Sequence, residues 1–481
     1  MVTWLEPTRR LAPGLVGAVA GASGFVALAG ALVAGNGRYS HLAIVLALGG
    51  FGGLVVLARE TLRSSRACGG LGPEAGAGLA PESAAIAGDP PPDAGTTPAL
   101  STADRTWERV LAVALLACLA LGLTTKPGEF VHGAAYRVVL AVVSLFLIGA
   151  VSATFLRRAP DFRSCRAVFF AAIVAGVGLR LAMLLVSPSP VVDVFVMFQE
   201  SAQHLLAGLN PYMVPVSDVY HGTRDYGYRV FGYSYLPANL LLQTLAYGLA
   251  GDFRYGCIAA ELVVSWTLYR VARPARGRLV PMLVVLLFLF HPRGLFVIEQ
   301  GWTEPFIAGT FALFLWLRDR WPDSAWPGAA YGYMLSLKQY LVYFVLHLFM
   351  IERRPKALAA VAATGFLTIV PFLVWDPTSF YTGGVRFVLS TAFRPDGLTV
   401  VALLYQLFGF TAGKWLAALV GLGVGVYTYR RFLNLGLVGY LLAVTLTTFS
   451  IFLSGSQAFC NYYYLVSVLW LFALAVCARC E

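Results

Sequence analysis

Apolar runs of about 17–25 residues, the length a helix needs to cross hydrocarbon, recur along nearly the whole chain. The alternating ten-residue segments of an outer-membrane barrel are absent. A chain built this way can only be a polytopic bundle of membrane helices. Its charge content agrees, because 12% of the 481 residues are charged against about a quarter in a typical soluble domain. The formal charge of +11 does not indicate nucleic acid as a partner. Its arginines and lysines cluster in short segments between apolar runs, at Arg9-Arg10, Arg157-Arg158, Arg270 to Arg278, Arg353-Arg354 and Arg430-Arg431, where the positive-inside rule places them. Abundant tryptophan and tyrosine suit interfacial belts. The seven cysteines show no zinc spacing, and Cys477-x-x-Cys480 beside a membrane helix is not read as a site. Residues 11–34 are too long for a cleavable signal and lack a cleavage-like end.

Spans are expected near 11–34, 42–58, 109–125, 136–156, 167–186, 257–272, 279–292, 304–318, 326–338, 339–351, 357–375, 413–429, 435–453 and 462–478. Several are short enough to be half-helices meeting a cavity. Residues 236–250 are read as re-entrant or interfacial, because a full crossing would put Arg270–Arg278 outside. The expectation is an all-α protein of about fourteen transmembrane helices with both termini cytoplasmic. Residues 59–106, rich in Ala, Gly and Pro, cannot bury a core and read as a disordered cytoplasmic linker. They separate a two-helix appendage, 1–58, from the main body, 107–481.

In this topology residues 187–235, 293–303, 376–412 and 454–461 emerge on the outer face. The most informative stretch is Val191 to Tyr212. Asp193 follows the turn Ser187-Pro188-Ser189-Pro190 and opens an amphipathic run with Val196, Leu205 and Leu206 toward lipid. Gln199, Glu200, Gln203 and His204 form its polar side. The run ends at Gly208, and Asn210-Pro211 forbids continuation. This describes a helix lying on the membrane surface with a carboxylate at its start. Such an aspartate is either a helix cap or a functional group.

An aspartate soon after a membrane helix, then an amphipathic helix ending in Gly208-Leu209-Asn210-Pro211-Tyr212, resembles the first outer loop of GT-C fold glycosyltransferases. The likeness is to the polyprenol-phosphate-sugar-dependent group that includes the bacterial α-mannosyltransferases of glycosyltransferase family 87. Three further segments resemble that group: Phe231-Gly-Tyr-Ser-Tyr-Leu-Pro237, Glu299-Gln-Gly-Trp-Thr-Glu-Pro305 and Ser336-Leu-Lys-Gln-Tyr340. The resemblance covers roughly residues 167–355; Tyr-Leu-Pro stands where the group often has Tyr-Pro-Pro, and Gln300-Gly301 reverses its Gly-Gln. It implies a GT-C-like bundle in which an acceptor hydroxyl attacks a sugar on a lipid phosphate with inversion, Asp193 being the general base. Partial desolvation at a membrane mouth suits a carboxylate to that task.

A polyprenyl-phosphate leaving group calls for cations at headgroup level. Lys338, Arg386, Arg394 and Lys414 are the outer-side candidates. Arg386 and Arg394 equally suit a loop anchored at the interface. Lys338 lies between two apolar segments, where a cation is costly and so implies function, the alternative being a snorkelling lysine. Glu304 either complements a helix dipole or, with Glu200, Asn210, Tyr212, Glu299, Gln300 and Tyr340, contacts sugar or acceptor. Asp193, Glu299 and Glu304 are hard oxygen ligands, yet no spacing demands a metal, and neither metal nor cofactor is expected. Asp218, Tyr220, His221, Arg224, Asp225, Tyr228 and Arg229 form a polar, aromatic loop tail that either covers an acceptor or is ordinary loop. Gln457 to Tyr464, with Asn461, reads as an interfacial belt. His41, His132 and His347 receive no role.

The expected partners are thus a polyprenyl-phosphate-linked sugar, a lipid or glycan acceptor and membrane lipids, at the plasma (inner) membrane with the site on its outer or periplasmic face. Mannose leads, with arabinose, glucose and galactose open. The alternatives are a transporter or flippase for lipid-linked sugars, for which no internal repeat is visible, and a ligase-like glycan enzyme.

Overall fold

A computed structural model of the chain describes residues 14–67, 102–131, 133–220, 231–273 and 278–478. Arg9-Arg10, His132, Cys480 and the loop-tail residues His221, Arg224, Asp225, Tyr228 and Arg229 lie outside them, as does 68–101 of the expected linker. The described residues are helical throughout, with no strand. Eight segments are long and apolar enough to cross a membrane, or nine if one bent pair is a single span.

The first five such helices are α1 (Leu15–Ala34), α2 (His41–Ala67), α3 (Thr102–Leu123), α4 (Ala135–Phe155) and α5 (Phe162–Val186). Both edges of the expected linker are therefore helical. The chain then lays down α6 (Asp193–Leu206) and α7 (Pro237–Ala250), followed by α8 (Arg254–Ala272), α9 (Val280–Leu289), α10 (Gly294–Gln300), α11 (Glu304–Arg320), α12 (Trp326–Leu335) and α13 (Phe344–Ile351). This middle region is shorter or more polar than the rest: α8 carries Arg254, Glu261 and Arg270, and α9 and α10 bend by 45° at His291-Pro292. Beyond it run α14 (Pro355–Trp375), α15 (Pro377–Tyr381), α16 (Phe387–Ser390), α17 (Val400–Phe408), α18 (Lys414–Phe432), α19 (Gly436–Ser454) and α20 (Cys460–Cys477). A 3-10 turn at Leu433–Leu435 and a left-handed Gly436 (φ 57°) fold Lys414–Ser454 into two helices packed together.

α20 and α19 are almost wholly buried, whereas α4 and α14 turn apolar faces outward, with Val138, Val142 and Phe146 on one and Phe366, Leu367 and Val374 on the other. Apolar surface of this kind is stable only against lipid. The first two helices pack into this body: Phe25 of α1 meets Trp470 of α20 and His291 edge-on.

At one end of the bundle the loops interlock. Arg293 donates to Thr125 (2.7 Å), to the Lys126 carbonyl (3.1 Å) and to Asn36. Tyr39 N–H donates to the Asp396 carbonyl (2.8 Å), and Leu398 N–H to that of Ala458 (2.8 Å). Arg254 joins the carbonyls of Ser187, Pro188 and Glu299 to the same end. The opposite end carries the arginine-rich segments, with Arg318 and Arg354 both on Glu352 (2.7 and 2.6 Å). Helix α7 begins against Ser336 and ends with the Gly251 carbonyl accepting from Gln199 of α6 (3.0 Å), so it lies beside α6 instead of descending with α8.

Candidate functional site

The break between α12 and α13 makes a site. After Leu335 the chain turns, Lys338 becomes extended (φ −153°, ψ 142°), and a 3-10 turn over Gln339–Tyr343 starts the next helix. Lys338 is 4% exposed and bonds through Nζ to Oε1 of the fully buried Glu304 at 2.7 Å. The Tyr340 hydroxyl donates to the same oxygen at 3.2 Å. Nζ also stands 4.9 Å from the ring centres of Tyr235 and Tyr462 and 5.3 Å from that of Tyr340. Withdrawing two charges from water costs several kcal/mol per ion. Desolvated ring faces return about 2 kcal/mol each, so the cage and the carboxylate together make a buried lysine tenable. Among the described residues the other oxygen of Glu304, Oε2, has no hydrogen-bond partner.

Asp193 approaches from α6. It is half-buried, and its Oδ1 accepts its neighbour Val194 N–H (2.8 Å) while its own N–H donates to the Tyr220 hydroxyl (3.5 Å). Four positions on, Met197 and Phe198 turn inward, and Phe198 packs on Tyr235 (5.3 Å between centres) and Tyr233 (6.0 Å). Tyr235 thus has Lys338 over its ring at 4.9 Å and Phe198 of α6 against it. The Gly208–Tyr212 turn supports it from below. Gly208 takes a positive φ of 75°, Asn210 Oδ1 accepts the Tyr212 N–H (3.1 Å), and the Tyr212 hydroxyl donates to the Tyr235 carbonyl (2.6 Å).

Lys338, Glu304 and Tyr340 thus meet directly, and the Asn210–Tyr212 turn holds the backbone of Tyr235, on which Phe198 of the Asp193 helix packs. The remaining candidates lead elsewhere. Glu299 accepts the N–H groups of Glu129 (2.7 Å) and Phe130 (2.8 Å), with Gln300 donating to it (2.9 Å). That carboxylate anchors the loop after α3, where Gly128 leaves room for it. Glu200 accepts from Ser217 N–H (2.7 Å). Arg394 grips Asp396 with two bonds of 2.8 Å and lies over Phe459. Burial alone raises the Asp396 pKa, but the Arg394 guanidinium outweighs it and holds the carboxyl below its ordinary range. Arg386 is exposed in a π-turn, Thr382–Arg386, and Lys414 donates to Thr391 (2.6 Å).

Two features were not foreseen. Tyr462, read as part of a belt, is a wall of the lysine cage, while Tyr463 donates to the Leu398 carbonyl and Tyr464 to Glu261. Three consecutive tyrosines on one helix point about 100° apart, so a single interface cannot take all three; that spacing was a usable signal. The second is a buried pair, Arg180 with Glu261, each inside an apolar run and each about 1% exposed. Among the described residues no group of three or more His, Cys, Asp and Glu is arranged to hold a metal ion.

No family model, curated protein or solved structure matches the chain.

Proposed function

We propose that this protein is a membrane glycosyltransferase. It moves a sugar, mannose foremost, from a polyprenyl-phosphate donor to a hydroxyl of a lipid or glycan acceptor. The acceptor oxygen attacks the anomeric carbon with inversion, the bond to the phosphate oxygen breaks, and its electron pair leaves with the phosphate. Asp193 takes the hydroxyl proton. Lys338 spends one N–H on Glu304 and keeps others for a phosphate oxygen. Glu304, Tyr340 and the Asn210–Tyr212 turn form the wall against which sugar or acceptor rests.

One observation carries the reading: a caged lysine–carboxylate pair and the helix that opens with Asp193 meet at Tyr235, whose ring faces Lys338 and packs on Phe198, at one end of an apolar helical bundle. The arginine-rich segments lie at the other end, so the positive-inside rule makes the site end external at the plasma membrane.

The test is purified protein in liposomes with radiolabelled polyprenyl-phosphate-mannose and membrane lipids. Labelled product is expected, and Asp193→Asn should reduce turnover about 10²–10⁴-fold while leaving thermal unfolding unchanged. Retained turnover in that variant removes Asp193 as base. The second reading, a flippase for lipid-linked sugars, is favoured by the 45° break between α9 and α10, since transporters build sites at broken helices. Label that crosses the bilayer without a new product supports it.

A further inference from the structure

The turn between α1 and α2 carries a backbone conformation that a glycine would have taken at less cost. Helix α1 ends in a Schellman motif, with Gly37 N–H donating to the Leu32 carbonyl (2.9 Å) and Asn36 N–H to that of Val33 (3.3 Å). The residue that turns left-handed is Asn36, at φ 51°, the one non-glycine with a positive φ among the described residues. Glycine is the usual occupant, because a Cβ is strained there. Asparagine stands there with its amide in use. Oδ1 accepts from the fully buried Arg293, and Nδ2 donates to Oε1 of the exposed Glu129 (2.5 Å). The amide bridges a buried guanidinium to a surface carboxylate, which a glycine could not do.

These partners hold α10 at both ends. Arg293 immediately precedes α10 and lies over Phe296 within it, 3.9 Å from the ring centre. Glu129 gives its own N–H to Glu299, near the end of α10 (2.7 Å). Gly301 then turns the chain toward Glu304, the carboxylate of the lysine cage. The second residue of the turn reaches another wall of that cage. Gly37, at φ 74°, packs so closely on the start of α20 that an added Cβ would lie 2.8 Å from the Cys460 backbone nitrogen. Two residues on, Tyr462 is one of the ring faces around Lys338. A backbone bridge from Arg38 to Gly397 fastens the same turn to the loop whose Leu398 carbonyl accepts the Tyr463 hydroxyl.

We propose that Asn36 and Gly37 are positioning residues for the Lys338 cage, which makes the first two helices part of the site. Asn36 fixes α10 and through it Glu304; Gly37 sets the start of α20 and with it Tyr462. The effect on the donor rests on the proposed function, whereas the effect on the cage does not.

The test is hydrogen–deuterium exchange of the full-length protein in detergent, alongside donor and acceptor KM in liposomes with radiolabelled polyprenyl-phosphate-mannose. Asn36→Gly is the discriminating variant, since a residue that merely ended α1 could become glycine without loss. Exchange over 294–306 should quicken about tenfold, the scale of one hydrogen bond to a charged group, with α5 and α19 unchanged. Donor KM should rise while acceptor KM holds. Gly37→Ala, whose Cβ meets Cys460, should quicken 458–464 instead. Asn36→Asp sets two carboxylates side by side and should loosen 294–306 in the same way. Adding Glu129→Gln to it restores the bridge with donor and acceptor exchanged, and should return that segment to wild-type exchange. Wild-type exchange in Asn36→Gly, or loosening that reaches α5 and α19 as well and that Glu129→Gln does not reverse in Asn36→Asp, overturns the proposal. Should the glycine variant fail to fold, Asn36→Asp with and without Glu129→Gln decides alone. Local loosening with an unchanged donor KM upholds the turn's role and removes the phosphate from the cage; no transfer by the wild type removes the glycosyltransferase reading instead.

Discussion

Two of the buried cation–carboxylate pairs in this bundle, Arg180–Glu261 and Lys338–Glu304, differ in what they leave unused. Arg180 bonds through every guanidinium nitrogen: Nε to Glu261, Nη1 to the Gly176 carbonyl (3.0 Å) and Nη2 to the Leu289 carbonyl (3.0 Å), while Glu261 takes the Tyr464 hydroxyl on its other oxygen. Leu289 ends α9, so the guanidinium satisfies a carbonyl that the break before α10 sets free. Four helices are pinned by one network. The Lys338–Glu304 pair has one bond between its partners, three ring faces around it and, among the described residues, a carboxylate oxygen without a partner. A buried charge in a membrane protein is therefore not functional by burial alone. A bond on every guanidinium nitrogen marks the arginine pair as a brace, whereas the lysine pair is held by a single bond and ring faces.

The sharpest way to break this contrast is Arg180→Met. Removing one member of a buried pair costs about 3–5 kcal/mol, here with loss of the α9 carbonyl's partner as well. The expected result is a large fall in thermal unfolding temperature in detergent, with partial recovery in the double variant Arg180→Met with Glu261→Met. A variant as stable as wild type would sink the brace. Lys338→Met should lower that temperature less, because the lysine makes one hydrogen bond where Arg180 makes three, and should raise the donor KM about tenfold with acceptor KM unchanged. An unchanged donor KM would remove the lysine from the phosphate.

The smallest effect belongs to the arginine-rich end. Burial raises the pKa of Glu352, but hydrogen bonds from Arg354 and the Arg318 charge outweigh it and hold the carboxyl at about 2. Since the folded value lies below the unfolded one of about 4.3, its stabilisation is complete above that value and fades as pH falls through about 2. The difference in unfolding temperature between wild type and Glu352→Gln should accordingly shrink on acidification. A difference that grew instead would reverse the sign assigned to this group.

Much of the site's framework was legible along the chain. The surface helix starts at Asp193, as the switch from Ser-Pro turns to an amphipathic run implies, and it ends just before Gly208. The lysine between two apolar segments does fall at a helix break. Candidate residues were harder to sort, because an acid's sequence position does not say which way it faces. Glu299 and Glu304 stand five residues apart, yet Gly301 in a left-handed turn (φ 67°) sends one to the loop after α3 and the other to Lys338. Arg394 looked like a headgroup cation, but Asp396 two residues on had already claimed it.

The sequence by itself determined that this chain lives in a membrane as helices, with arginine pairs gathered in short segments between apolar runs. Hydropathy, periodicity and charge placement are local, and each is readable within a few turns. Tertiary structure alone decided that Tyr235, Glu304, Lys338 and Tyr462 share one cage and that Arg180 braces a broken span. Those outcomes depend on how helices far apart in sequence meet, and in lipid that is set by close packing and by the partners polar groups find, since the hydrophobic effect no longer ranks one apolar face above another.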